Sequence, residues 1–193
     1  MAKRIHRKDP IYLTEDEIKA LFSVISDPRD RAIFRVAYHH GLRASEVGTL
    51  DLADYRPSSG RIYIRRLKGS NAGEFRLPEL AEKSLRAWIR ERGSAPGPLF
   101  PSRERTRITR QRLDQLMKRY CVAAGIDPKK AHMHVLKHSC GTHMLEMGED
   151  IVMVQDHLGH RSIANTMIYA HVSNKARSAA DERLREWGKR KIA

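Results

Sequence analysis

The side chains best equipped for chemistry in this sequence are His134, Lys137 and His138 of His134-Val135-Leu136-Lys137-His138, the His160 of Leu158-Gly159-His160, and a phenol nine residues later at Tyr169. They form a poor set for gripping a metal but a good one for holding a phosphodiester while a hydroxyl attacks it. Upstream, Gly41-Leu42-Arg43-Ala44-Ser45-Glu46 supplies the guanidinium that such a site needs. A phenol with an ordinary pKa of about 10 is a weak nucleophile at neutral pH, so it requires a nearby proton acceptor and cationic surroundings. Histidine is suited to that exchange.

Placement strengthens the pattern. Arg43 falls just before one expected helix, His134 and Lys137 in the first turn of another, and His160 just before a third. Helix N-termini carry unpaired amides and partial positive charge, so three of them converging would make an anion site with side-chain donors added. Any one of these cations alone would read as an ordinary solvated residue; the joint pattern carries the weight. His132, His134, His138 and His143 also lie within twelve positions. They lack finger spacing and a His-Glu-x-x-His pair, and a zinc site would leave Arg43 and Tyr169 unexplained. No phosphate-cradling glycine loop and no Gly-x-Ser-x-Gly elbow occurs. The sequence therefore calls for neither a metal nor a cofactor.

The elements that must position these groups are mostly helical. Thr14 and Glu17 make a capping box ahead of Ile18, Leu21, Phe22 and Ile25 on one face. Further helices are expected over about 30–40, with Gly41 as the left-handed stop, and over 44–50, 80–92 and 109–125. Others should cover about 135–147, then 151–158 capped by Asp150, 163–168 capped by Ser162, and 174–187. Between them, 61–67 alternates at period two, 69–73 is turn chemistry and 74–77 returns as a strand, a β-hairpin carrying Lys68 near its tip. The expected fold class is mainly α with one small antiparallel β-sheet.

Thirty-seven Lys and Arg against twenty-three Asp and Glu leave a formal charge of +14 over 193 residues, enough chain for one substantial core. A basic surface favours a polyanion, because neutralising phosphates releases counterions, so nucleic acid is the leading partner. Cys121 and Cys140 are too few for a disulfide scaffold and fall inside apolar helical patterns. The basic start is not followed by an apolar run, and no stretch approaches a membrane span, so a cytoplasmic protein with no membrane partner is expected.

Taken in order and spacing, Gly41-Leu42-Arg43-Ala44-Ser45-Glu46, the hairpin Lys68, His134-x-Leu136-Lys137-His138, Leu158-Gly159-His160 and Tyr169-Ala170-His171 resemble the catalytic domain of the tyrosine recombinase (phage integrase) family. The resemblance runs from about 14 to 173 and implies the fold of that domain, a DNA breaking and rejoining enzyme type. It also implies a site-specific recombinase that acts on double-stranded DNA. Tyr169 would attack the scissile phosphate to give a 3′-phosphotyrosyl link and a free 5′-hydroxyl. Arg43, Lys137 and His160 would hold the non-bridging oxygens as charge develops, Lys68 would protonate the leaving oxygen, and His134 would manage the tyrosine's proton. Glu46 and His138 would support the site. The bond energy is kept in the covalent link, so strand exchange would need no cofactor.

By the same resemblance, residues 1–13 form a basic N-terminal arm, 14–173 the catalytic domain, and 174–193 a C-terminal helix and tail that tethers neighbouring protomers. The working form would be a homo-tetramer on synapsed DNA, from a chain that is monomeric when free. Two departures from the family pattern matter. Lys137 stands where the family usually has arginine, keeping the charge but losing the planar fork. Before Thr14 there is no room for the helical domain with which many members clamp DNA, which implies a catalytic fragment or one of the short recombinases that invert promoter segments. Two rivals stand beside this reading: a type IB topoisomerase-like enzyme, and a catalytically weak DNA-binding regulator built on the same fold.

Overall fold

Thr14 starts the first helix with both halves of its cap. Its hydroxyl accepts the Glu17 N–H at 3.3 Å, and the Glu17 carboxylate accepts the Thr14 N–H at 2.8 Å. In the computed structural model, which describes residues 10–66, 72–170 and 174–191, this gives α1 (Glu15–Val24). Next comes α2 (Pro28–His39), two residues earlier than its apolar pattern suggested, because Asp27 caps it and Pro28 occupies a first-turn position where a missing N–H costs nothing. Gly41 then turns left-handed at φ +54°, and a side chain there would collide with Leu158. Helix α3 (Ala44–Thr49) follows at once.

The expected hairpin strands are present as β2 (Arg61–Ile64) and β3 (Gly73–Arg76), and β1 (Tyr55–Arg56) pairs with the other edge of β2 to complete a three-stranded antiparallel sheet. Ile62 pairs with both Tyr55 and Phe75. Two residues are too short a run for alternation to reveal, and β1 escaped the sequence reading for that reason. Lys68 lies outside the described residues, as do residues 1–9 of the basic arm.

The remaining helices are α4 (Glu79–Arg92), α5 (Arg110–Ala123), α6 (His134–Glu146), α7 (Ile151–Leu158), α8 (Met167–Ala170) and α9 (Asn174–Lys191). Where one helix was expected over 163–168, Ser162 caps only a short 3-10 turn, Ile163–Asn165, and α8 begins after Thr166.

Helix α6 organises the packing. It contacts α2, α7 and α8, and Val135, Leu136, Lys137, Ser139, Cys140, Gly141, Thr142, His143 and Leu145 are all buried on it, so it has almost no solvent face. A helix enclosed on every side shows no clear amphipathic stripe, and any polar residue in it must find a partner indoors. Ser139 does so by accepting the Leu13 N–H at 2.8 Å, which fastens the chain's entry to the core. A large core gathers α1 to α5 with the sheet around α6. A smaller one joins Cys140, Leu145, Val154, Leu158 and Tyr169. Among the described residues, no helix is long and apolar enough to cross a membrane.

Candidate active site

A cavity of about 310 Å³ opens where α6, α7 and α8 meet, lined by Arg43, His134, Lys137, His138, His160, Asn165, Ile168 and Tyr169. Six of these are residues that the sequence singled out; Glu46 lies beneath the cavity and Lys68 outside the described residues.

Each arrives by a local device. Arg43 is the N-cap residue of α3, where its backbone N–H donates to Glu46 Oε2 at 2.9 Å and its Nη1 to Glu46 Oε1 at 2.7 Å. Its side chain stays one-third exposed while that of Glu46 is wholly buried. His134 begins α6 and is exposed, its ring edge-on to His138 with centroids 4.4 Å apart. His160 is delivered by the end of α7 rather than by a helix start: Gly159 turns left-handed at φ +63°, and Gln155 Nε2 donates to the His160 carbonyl at 3.0 Å. The hydroxyl of Thr166, at the join before α8, lies 3.0 Å from His160 Nδ1. The image of three converging helix starts thus reduces to those of α3 and α6.

Tyr169 is buried, with its ring in the smaller core and nearly parallel to His160 at 6.3 Å. Gly141 makes room for it, since a Cβ there would come within 2.8 Å of the tyrosine ring. The phenol oxygen lies 3.1 Å from His138 Nδ1. Burial, with a smaller push from Cys140, holds its pKa well above the ordinary value, while Arg43 works against that shift.

Lys137 is 1% exposed, and its Nζ donates to the carbonyls of Gly41 at 2.9 Å and Leu158 at 2.6 Å. The two carbonyls fix its position in the cavity wall. Burial, then repulsion from Arg66 and Arg43, lowers its pKa to about 7, against the pull of Glu46.

Arg66 was missed. Its side chain is completely buried, donating to the His40, Gly41 and His157 carbonyls at 2.9, 3.3 and 2.6 Å and to Glu46 Oε2 at 3.2 Å. The signal was present: Arg66 continues the inward alternation of Ile62 and Ile64, so an arginine on the buried face had to have a carboxylate waiting. Burial tends to raise the Glu46 pKa, but the Arg43 backbone N–H and the Arg66 charge outweigh it and the net shift is downward.

A second cavity, of about 400 Å³, shares Arg43 and His134 and extends past Ala44, Ser45, Arg110, Asp114 and His132. No cluster of three or more His, Cys, Asp or Glu among the described residues is arranged to hold a metal.

The phage integrase family model matches residues 12–176, most of the chain. The chain belongs to that family. It is 34% identical to the type 1 fimbriae regulatory protein FimE of Escherichia coli K12 over 177 residues, covering 87% of this chain and 88% of that protein. It is also 34% identical to the tyrosine recombinase XerD of Proteus mirabilis, over 89% of this chain but only 58% of XerD. The fold superposes on the crystal structure of XerA recombinase with a TM-score of 0.79 at 32% identity, covering 95% of this chain and 66% of that one. With the catalytic domain of bacteriophage HP1 integrase the TM-score is 0.67, over 90% and 95% of the two chains. The enzyme class expected from the sequence is that of XerD and XerA, tyrosine recombinases that break and rejoin DNA, and the expected fold is shared with HP1 integrase, which is 23% identical.

Two outcomes follow from the electrostatics. Burial, followed by neighbouring cations, lowers His138 to about 4 and His160 to about 3, below the value of about 6.5 they regain on unfolding. The unfolded chain therefore binds more protons in this window. The stability these neutral imidazoles contribute is fully present above pH of about 6.5 and drains away as the pH falls through 4 toward 3. Thermal melts should show this loss, with a shallower acid limb for a His160→Gln variant. Glu46→Ala should destabilise by about 3–5 kcal/mol in urea melts, since it strands the buried Arg66 charge.

Proposed function

We propose that this chain is a site-specific recombinase that cleaves and rejoins double-stranded DNA through a 3′-phosphotyrosyl intermediate on Tyr169. One observation carries the reading: Arg43, His134, Lys137, His160 and Tyr169 line a single cavity although they lie up to 126 positions apart. The relatives add weight. XerH, for instance, was solved bound to its difH substrate in a post-cleavage complex.

A phosphodiester in this cavity would meet three kinds of help. Arg43, held in place by Glu46 yet one-third exposed, offers remaining N–H groups to a non-bridging oxygen. His160, oriented through Thr166, donates a second hydrogen bond as charge builds on the phosphorus oxygens. Lys137 adds positive charge from the wall. Because its ammonium is committed to the Gly41 and Leu158 carbonyls, it contributes charge from a set position rather than the two-pronged grip of an arginine. Lys68 takes the role of proton donor to the departing 5′-oxygen, as the family resemblance assigns it, and His134 stands at the proton-handling end. The +14 chain charge and the second cavity with Arg110 favour a duplex running past the site.

Assembly follows the same reading: domain 14–173 carries the chemistry, and the segment from 174 tethers protomers into a tetramer on two synapsed sites. Leu184 and Trp187 support this, being exposed on α9 at 66% and 56%. Light scattering of the protein on two-site DNA should give four chains per pair of sites; one chain per site would remove the tetramer.

The chemistry is tested by covalent capture. The full chain is incubated with a pool of nicked suicide duplexes whose arms are randomised, and SDS-resistant adducts are recovered and sequenced. Wild type should trap DNA, and Tyr169→Phe should trap none. Arg43→Ala should slow capture on the selected duplex by about 10²–10³-fold, the cost of losing one donor to a developing oxyanion. An adduct that persists in Tyr169→Phe would remove the nucleophile assignment.

A further inference from the structure

The proton of the attacking tyrosine has one described receiver within hydrogen-bonding distance. His138 Nδ1 lies 3.1 Å from the Tyr169 hydroxyl, whereas His134, the residue to which the family resemblance gives the proton, meets His138 rather than Tyr169, ring edge against ring at 4.4 Å. We propose that His138 is itself a catalytic residue, the general base that takes the Tyr169 proton during cleavage and returns it during rejoining, with His134 acting behind it. This rests on the reading of Tyr169 as nucleophile and adds to it the identity of the base.

Geometry supports the assignment from both sides. Packing limits how far the tyrosine can turn to another acceptor, because its ring lies close against Gly141 in the smaller core. The other histidine facing the tyrosine ring, His160, is already engaged, its Nδ1 lying 3.0 Å from the Thr166 hydroxyl. His138 lies on α6 one turn beyond His134, and both line the cavity together with Tyr169. Burial first, then the nearby His134, His132 and Lys137, keep the His138 imidazole neutral and so able to accept. An incoming phosphodiester brings negative charge among the groups that face His138, which are Lys137, His134, His132, Arg43 and His160. The imidazolium is therefore favoured at the moment the proton must move.

The step balances without an added reagent. The Tyr169 O–H bond breaks and its proton passes to His138 Nδ1. The phenol oxygen forms a bond to phosphorus as the bond from phosphorus to the 5′-oxygen breaks, and that oxygen takes a proton from the ammonium of Lys68. Rejoining runs the same transfers in reverse, with His138 then acting as the acid toward the departing phenol.

The test uses the full chain and the suicide duplex selected by the wild-type protein, with adduct formation measured in single turnover and DNA affinity measured separately. His138→Ala should form adduct at least about 10²-fold more slowly, as loss of a general base requires, with affinity changed by no more than a few-fold. Added imidazole should restore much of the rate, in proportion to its neutral fraction. His138→Asn keeps a polar group near the Nδ1 position that can hold the hydroxyl but cannot take its proton, and it should be as slow as the alanine variant. It also stands in should the alanine variant fail to fold. The proposal is overturned by cleavage near the wild-type rate in either variant, by faster cleavage, which would make His138 a latch on the tyrosine, or by slow cleavage that imidazole does not relieve. None of these touches the nucleophile assignment, which stands or falls on Tyr169→Phe alone.

Discussion

A single carboxylate, that of Glu46, holds the site's cations together. It is wholly buried, caps α3 through the Arg43 N–H, binds the Arg43 guanidinium and neutralises Arg66. Charges so buried are expensive unless paired, and this pairing decides the positions of three segments at once. Arg66 reaches from the end of β2 to the carbonyls of His40 and Gly41 at the close of α2 and to that of His157 near the end of α7. Lys137 repeats the device from α6, bonding Gly41 again and Leu158. Two buried cations thus tie the turn before Arg43 to the turn before His160. Gly41 and Gly159, both left-handed, make room at those joints: a side chain at Gly159 would crowd Arg66.

This arrangement gives the lysine at 137 a physical sense. An arginine there would carry a wider, planar group into a space bounded by two carbonyls and another buried guanidinium. With Arg66 already supplying a guanidinium below Arg43, the compact ammonium of Lys137 fits between the Gly41 and Leu158 carbonyls, at a larger desolvation cost than an arginine would carry. The cost is that its pKa falls to about 7, so the charge it places in the cavity wall depends on pH.

On the proposed reading, Tyr169 serves two purposes that pull in different directions. Its ring completes the small core of α6, α7 and α8, which explains why it is buried to 1%. Its hydroxyl lines the cavity that would receive the phosphate. Burial makes the phenol harder to ionise, which suits a group that should be inert until an acceptor and an electrophile are both in place. The neutral histidines around it follow from the same enclosure, and their cost appears as acid sensitivity.

Local rules and short spacings were enough to read the capping box at Thr14, the stops at Gly41 and Gly159 and the β2–β3 hairpin, because each depends on nearby positions, whereas the roster of cavity residues came from the joint pattern of motifs along the chain and its family resemblance. Helix α6 was legible in extent but not in its enclosure, since a helix buried on every face leaves no stripe to follow. What Lys137 touches, the burial of Arg66, and the meeting of His138 with Tyr169 across 31 positions were set only by the tertiary structure. The alternation Ile62, Ile64, Arg66 marked an inward arginine, but nothing in linear order tells which carboxylate it will find. Residue types and spacing determined which chemistry this chain could attempt. Packing decided which atoms face one another, because hydrogen bonds and buried charges are satisfied in space, by partners that the chain order leaves far apart.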